Sequence, residues 1–196
     1  MNLIKHNNFI YEYQNFVDDK LCDSLIEMIE LEQDDIISSN KSSTKNKIRN
    51  NIAFNITQLS EQYKFIKIVD MEASRIISKS ITQYINDNLF VNKYSDLSRK
   101  NINFSMELIY RFYDKTDYYN WHVDSTENGH FVLSIIIYLN DDFEGGSTLF
   151  LEDKVKVNPK KGSVLVFPCD MRTIHKGTKV KSGTKKIIWT CLKKEL

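Results

Sequence analysis

Residues 131–150 read FVLSIIIYLNDDFEGGSTLF. Eight positions dominated by β-branched and aromatic side chains are followed by an acidic pair and then a glycine pair, both turn formers. A short apolar run closed by turn residues predicts a buried β-strand and the turn that ends it. The same pattern recurs on either side. FSMELIYRFY (104–113), STLFL (147–151), KVKVN (154–158), SVLVFP (163–168) and KKIIWTCL (185–192) are further predicted strands. Asp141-Asp142, Gly145-Gly146 and Pro159 to Gly162 supply the turns between them. Several short strands at this spacing predict an antiparallel sandwich or small barrel in the second half of the chain.

Toward the N-terminus the period changes. FVDDKLCDSLIEMIE puts Leu21, Leu25, Met28 and Ile29 on one helical face, with Asp18 or Asp19 as the N-cap. Between about Ser60 and Leu89, Ile66, Val69, Ala73, Ile76, Ile77, Ile81, Tyr84 and Ile85 keep a spacing near 3.6, which predicts a long helix lying against a sheet. The stretch from Ser38 to Asn51 holds a single apolar residue and is expected to be a mobile loop, a candidate lid.

Composition bounds the answer. At 196 residues and 41% hydrophobic, the chain buries one substantial core, and no linker or internal repeat divides it, so a single domain is expected over 1–196. A net charge of +1 hides a basic last quarter: twelve basic against three acidic residues from Asp153 onward. That patch admits nucleic acid or an acidic peptide as partner, although scattered lysines are more often a solvated face. Three widely spaced cysteines suit neither a disulfide framework nor a zinc knuckle and point to a reducing cytosol. Neither a secretory leader nor an eighteen-residue apolar run is present, so a soluble cytoplasmic protein without a membrane span is expected.

The segment WHVDSTENGH (121–130) carries the chemistry. In a strand, His122 and Asp124 project from one face, because residues i and i+2 share a side. Two histidines and one carboxylate would form the ligand set of a non-heme Fe(II) site with open positions. The pair alone is weak evidence, since a polar strand end carries such residues for solubility. His175, between the strand SVLVF and another beginning near Thr184, can be returned to the pair by antiparallel folding. His6 and His130 are poorer candidates. Histidine and carboxylate ligands also serve zinc, so a hydrolase stands as an alternative at this point.

YYNWHVD, IIIYLNDDFEGGSTLF, PKKGSVLVFP and HKGTKVKSGTKK, in that order and spacing, resemble the Fe(II)- and 2-oxoglutarate-dependent dioxygenases, prolyl 4-hydroxylase type. YEYQNFVDDKLCDSLIEMIE resembles the first strand and helix of that family, so the likeness covers nearly the whole chain except 38–58 and 90–103. It implies an α+β, mainly β fold: a double-stranded β-helix (jelly-roll, cupin-like) core with N-terminal helices packed on one sheet. Residues 1–100 would be the helical support region and 101–196 most of the core. It implies His122, Asp124 and His175 as iron ligands, and Lys185 as the clamp on the distal carboxylate of 2-oxoglutarate. Tyr138 and Tyr113 would contact the same carboxylate, although a one-residue slip brings Tyr110 or Phe112 to the place of Tyr113. Lys186 should point to solvent and Trp121 should pack away from the metal. Ser147 and Trp189 depart from the family pattern and are expected to stay clear of the ligands.

The implied reaction is hydroxylation of an unactivated C–H bond with Fe(II), 2-oxoglutarate and O2, releasing succinate and CO2, with ascorbate as a reductant. A prolyl residue in a peptide or protein is the leading substrate; a free amino acid or other small molecule is the alternative. Nucleic acid is disfavoured, because no aromatic pattern marks a base-stacking pocket. A barrel that binds metal and 2-oxoglutarate without turnover is the reading from a different class.

Overall fold

The structure is a computed structural model describing residues 1–39, 48–94, 104–124 and 131–194; the side chains of Phe90, Lys93, Tyr94, Phe104, Phe131 and Asp153 lie outside that description. In chain order the elements begin with β1 (Asn2–Lys5), β2 (Tyr11–Gln14), α1 (Asp19–Ser38), β3 (Arg49–Asn50), β4 (Ile52–Asn55), α2 (Ile56–Leu59), α3 (Lys64–Asp87) and α4 (Leu89–Tyr94). There follow β5 (Phe104–Ser105), β6 (Ile109–Tyr113), β7 (Tyr118–His122), β8 (Phe131–Tyr138), β9 (Glu144–Gly145), β10 (Thr148–Phe150), β11 (Lys156–Val157), β12 (Val164–Pro168), β13 (His175–Gly177), β14 (Val180–Ser182) and β15 (Lys185–Lys194).

Every strand pairing is antiparallel among the described residues. The larger sheet runs β1-β2-β12-β8-β15-β6-β4, with β5 on β15; a second runs β11-β10-β13-β7-β3; β14 and β9 form a ribbon. The first hundred residues thus supply four strands as well as helices: β1, β2 and β4 extend the large sheet and β3 edges the second.

Period-two alternation divides each central strand of the large sheet between two cores. Leu133, Ile135 and Ile137 of β8, Tyr110 and Phe112 of β6, Val164 and Val166 of β12 and Ile188 of β15 pack with Leu25 and Ile29 of α1 and Ile66, Val69, Ala73 and Ile77 of α3. The opposite face, with Tyr113, Ile136, Tyr138, Leu165, Phe167 and Ile187, packs with Phe150, Val157 and Val180 from the other strands. A buried aliphatic side chain contributes roughly 1.5–3 kcal/mol, so one-residue slippage of β15 is excluded: it would turn Ile188 out and drive Lys185 into the helical core. Lys186, expected to face solvent, faces the helix layer and pairs with Glu30 of α1 at its partly exposed edge.

The helices follow the sequence reading with shifted ends. Asp18 caps α1, its carboxylate accepting from the backbone N–H of Lys20 at 2.9 Å. The predicted long helix is α3, and Asn88 ends it by leaving helical geometry while its N–H reaches the Tyr84 carbonyl. FSMELIYRFY, read as one strand, divides into β5 and β6 around residues 106–108. Of the predicted loop 38–51, Ser38 closes α1 and Arg49–Asn50 pair with β7; residues 40–47, and the lid expected of them, lie outside the described residues. No helix among the described residues is long and apolar enough to cross a membrane.

Candidate metal centre and co-substrate pocket

β7 and β13 place the three expected metal ligands. His175 pairs with His122 across the two strands, and Asp124 lies just beyond the end of β7. The ring centroids of the histidines are 4.2 Å apart. Asp124 Oδ1 lies 3.3 Å from His122 Nε2, and its Oδ2 lies 3.6 Å from His175 Nε2. One ligand atom from each residue falls within 4.8 Å of the others, and this is the only such group among the described residues.

Hydrogen bonds fix how the rings face that centre. His122 Nδ1 meets the Asn120 carbonyl at 2.7 Å, and His175 Nδ1 meets the Thr173 carbonyl at 2.9 Å. A carbonyl only accepts, so both Nδ1 atoms carry protons and both Nε2 lone pairs turn inward toward the carboxylate. Lone pairs gathered this closely repel unless a cation sits among them, and imidazole nitrogen with carboxylate oxygen suits a divalent first-row metal. The donor set therefore fits iron. Burial disfavours the charged form of Asp124, but His175, His122 and the Ser134 hydroxyl outweigh it and hold the carboxyl well below the usual range. Burial lowers His175 to about 4, against the pull of Asp124 and with the help of His122, which keeps its imidazole neutral.

Asp124 is also held from behind. The Ser134 hydroxyl donates to Oδ2 at 2.7 Å, and the Trp189 indole N–H lies 3.0 Å from Ser134 Oγ and 3.3 Å from Oδ2. Trp189, expected to stay clear of the ligands, is a neighbour of the carboxylate instead: β15 alternates, so its ring falls on the same face as Lys185 and Ile187. Ser147 does stay clear, donating to the Asn158 side chain at 2.9 Å.

Lys185 enters the same cavity from β15, which it lines with Tyr113, Ile136, Thr148 and Ile187. Its residue is 5% exposed. The ammonium donates to the Gly146 carbonyl at 2.7 Å and has no carboxylate partner among the described residues, so burial depresses its pKa to about 7. Such a cation fits the free carboxylate of an acidic ligand. Gly146 makes the approach possible: its φ is +63°, and a Cβ there would stand 2.9 Å from the Phe143 ring and 3.1 Å from Lys185 Cδ.

The register separates the two tyrosine candidates. Tyr113 lies opposite Lys185 with its ring 5.5 Å from Nζ, whereas Tyr110 faces the helices and contacts Phe54 at 5.2 Å between rings. Tyr138 is fully buried behind the lining. Its ring is 5.4 Å from Lys185 Nζ, but its hydroxyl is engaged with Thr148 Oγ1 at 2.9 Å, and Thr148 is the residue that reaches the pocket.

Other positions fall elsewhere. His6 pairs with Glu12 at 2.9 Å, and His130 lies outside the described residues. Trp121 faces away from the metal ligands, but it is 39% exposed beneath the Lys176 ammonium rather than packed. All three cysteines are free, and Cys169 and Cys191, far apart in sequence, bring their sulfurs to 3.3 Å. Sequence reasoning missed Arg111, although it stands two residues from Tyr113 on one strand and so shares its face. It also missed Tyr119, whose ring stacks on His122 with centroids 3.5 Å apart.

Comparison with known proteins agrees with this geometry. A family model described as the 2OG-Fe(II) oxygenase superfamily matches residues 108–192, the span holding all three candidate ligands and Lys185. The chain is 33% identical over 93 residues to "Putative prolyl 4-hydroxylase" of Acanthamoeba polyphaga mimivirus, covering 37% of this chain and 38% of that one. It is 34% identical over 83 residues to the rat 2-oxoglutarate and iron-dependent oxygenase domain-containing protein 3, covering 38% of this chain and 26% of that one. The matches thus span well under half of either relative. In fold it is similar to the viral collagen prolyl hydroxylase vCPH of Paramecium Bursaria Chlorella virus-1, with a TM-score of 0.65 at 22% identity over 96% of this chain and 97% of that one. The segment that carries the His-Asp-His cluster and the buried lysine is thus the part of the chain that matches the 2OG-Fe(II) oxygenase superfamily.

Proposed function

We propose that this chain is an Fe(II)- and 2-oxoglutarate-dependent dioxygenase that hydroxylates a prolyl residue in a peptide or protein, releasing succinate and CO2. One observation carries the reading. Three side chains of metal-ligating type converge at one part of a cavity whose wall also holds a buried lysine with no counter-ion among the described residues. A metal-chelating dicarboxylate matches both needs at once. The paired antiparallel sheets would form the double-stranded β-helix of this family, with 1–196 acting as one domain and residues 1–100 as its support.

His122, Asp124 and His175 would hold the iron through two Nε2 atoms and a carboxylate oxygen, leaving the remaining positions for ligands. Bound iron, with 2-oxoglutarate and O2, supplies the oxidising power for the C–H bond. The chain's own work is placement. Lys185 takes the distal carboxylate, its ammonium turning from the Gly146 carbonyl, with Tyr113 beside it. Tyr138 orients the Thr148 hydroxyl toward the same group. Ser134 and Trp189 fix Asp124 Oδ2, so the carboxylate cannot rotate freely about the metal. Tyr119, Ile136 and Ile187 line the remainder and keep water from the reacting centre.

The test is incubation with Fe(II), ascorbate, 2-oxoglutarate and proline-containing peptides in air. Succinate formation accompanied by a peptide mass gain of one oxygen at proline is expected. Succinate without peptide oxidation would remove the prolyl assignment; hydrolysis that persists without O2 would remove the oxygenase.

A further inference from the structure

Arg111 is a second buried cation in this site that neither the metal nor the co-substrate uses. It stands on β6 opposite Ile187, two pairs along from Tyr113–Lys185 and so on the same face, with its residue 5% exposed. Its guanidinium lies 4.4 Å from the Trp189 ring and 5.3 Å from the Tyr119 ring, held between two aromatic faces. The guanidinium has a side-chain hydrogen bond with Tyr113, but its Nε is buried without a hydrogen-bond partner, and no carboxylate pairs with it among the described residues. Leaving such a donor unsatisfied in the interior is costly, which marks the position as one that a ligand completes.

Arg111 lines the metal cavity and also a neighbouring groove of about 500 Å³ bounded by Arg49, Asn55, Gln58 and Trp189. That volume suits an amino-acid residue or a short peptide segment. The groove reaches Asp124, so anything seated in it lies beside the metal ligands. The charge count points the same way. A divalent metal, Lys185 and Arg111 bring four positive charges, against one on Asp124 and two on 2-oxoglutarate. One negative charge is needed, next to Arg111.

We propose that the substrate carries a carboxylate, bound by Arg111 between Trp189 and Tyr119, which sets the substrate carbon against the metal centre. This rests on the oxygenase reading above and narrows its substrate to an anionic one. The carboxylate could be a free or C-terminal α-carboxylate, or the side chain of an acidic residue beside the proline. A guanidinium offers paired donors that match a carboxylate in either setting.

The experiment uses the full chain with Mn(II) and 2-oxoglutarate under nitrogen, so that binding is read without turnover. Three probes are titrated by calorimetry: N-acetyl-L-proline, its neutral amide, and the amidated dipeptide N-acetyl-Asp-Pro. At least a tenfold preference for one carboxylate probe over the neutral amide is expected, and which one is preferred identifies the source. The preference should fall below threefold in Arg111→Gln and survive in part in Arg111→Lys, with the 2-oxoglutarate affinity of both variants within threefold of wild type. Equal binding of all probes, or no binding of either carboxylate by protein that holds Mn(II) and 2-oxoglutarate, would overturn the proposal alone. So would loss of 2-oxoglutarate affinity in Arg111→Gln with the preference retained. Protein that takes up neither Mn(II) nor 2-oxoglutarate would overturn the underlying reading too.

Discussion

Replacing Lys185 by methionine should make the ligand-free protein more stable and nearly blind to 2-oxoglutarate. Methionine keeps most of the buried stem and removes the ammonium. Burial moves this lysine from its ordinary 10.5 to about 7. At ~1.4 kcal/mol per unit, holding it protonated at neutral pH costs the fold several kcal/mol, with about 4 as the upper end. Losing the bond to the Gly146 carbonyl gives back roughly 1–3 kcal/mol. A net gain of about 1–3 kcal/mol follows, or a Tm rise of roughly 3–10 °C for a chain of this size. For binding, removing one member of a buried ion pair costs about 3–5 kcal/mol, so 2-oxoglutarate affinity should fall by roughly 10²–10⁴-fold. Differential scanning calorimetry without ligand and isothermal titration with Mn(II)-loaded protein measure the two halves. A variant that melts lower than wild type, or binds 2-oxoglutarate as tightly, would refute the account of this lysine.

Further outcomes follow from the same site. Wild-type affinity for 2-oxoglutarate should be level below pH 7 and fall by up to tenfold per pH unit above it, until the raised pKa of the bound lysine is passed. The binding form is the protonated one, and the groups facing it, Tyr113, Tyr138, Thr148 and the Gly146 carbonyl, are uncharged there; titrations at stepped pH check this. Asp124→Asn should lower Mn(II) affinity at least 10²-fold, read by electron paramagnetic resonance, while circular dichroism stays native. Trp189→Phe removes the indole donor behind Asp124 and should weaken metal binding by roughly 10–100-fold in the same assay. Gly146→Ala forces a side chain into a positive-φ position against Phe143 and Lys185, and should cost about 1–3 kcal/mol in urea unfolding while weakening 2-oxoglutarate.

The parts legible in the sequence were those written locally. The short apolar runs FVLSIIIY and SVLVFP, closed by turn residues, marked β8 and β12, and the 3.6 spacing from Ile66 to Tyr84 marked α3, because a strand buried on both faces and a helix buried on one each leave a local pattern in the chain. β3, β9, β13 and β14 were missed as strands read from periodicity; at two or three residues they hold no full period, and only pairing with a partner makes them strands. His122 and Asp124 could be paired from spacing alone. His175 could not, since its approach depends on the register of β13 against β7. Tyr113 was undecided against Tyr110 until the pairing with Lys185 fixed which face of β6 turns to the cavity. Tyr138 shows the limit of carrying a role by position: whether its hydroxyl meets a ligand or Thr148 is a matter of ångströms. Arg111 and Trp189 looked like ordinary strand residues, and only their stacking across two strands gives them a place in the site.

The central claim is that His122, Asp124 and His175 grip one divalent iron beside a pocket where Lys185 anchors 2-oxoglutarate. Anaerobic titration of the protein with Fe(II) and then 2-oxoglutarate, followed by visible absorption, tests it directly. A charge-transfer band saturating at one iron and one 2-oxoglutarate per chain is expected in wild type, absent in Asp124→Ala and requiring far more 2-oxoglutarate in Lys185→Met. A chain that binds iron with no such band, or a band unchanged in Asp124→Ala, would contradict the account.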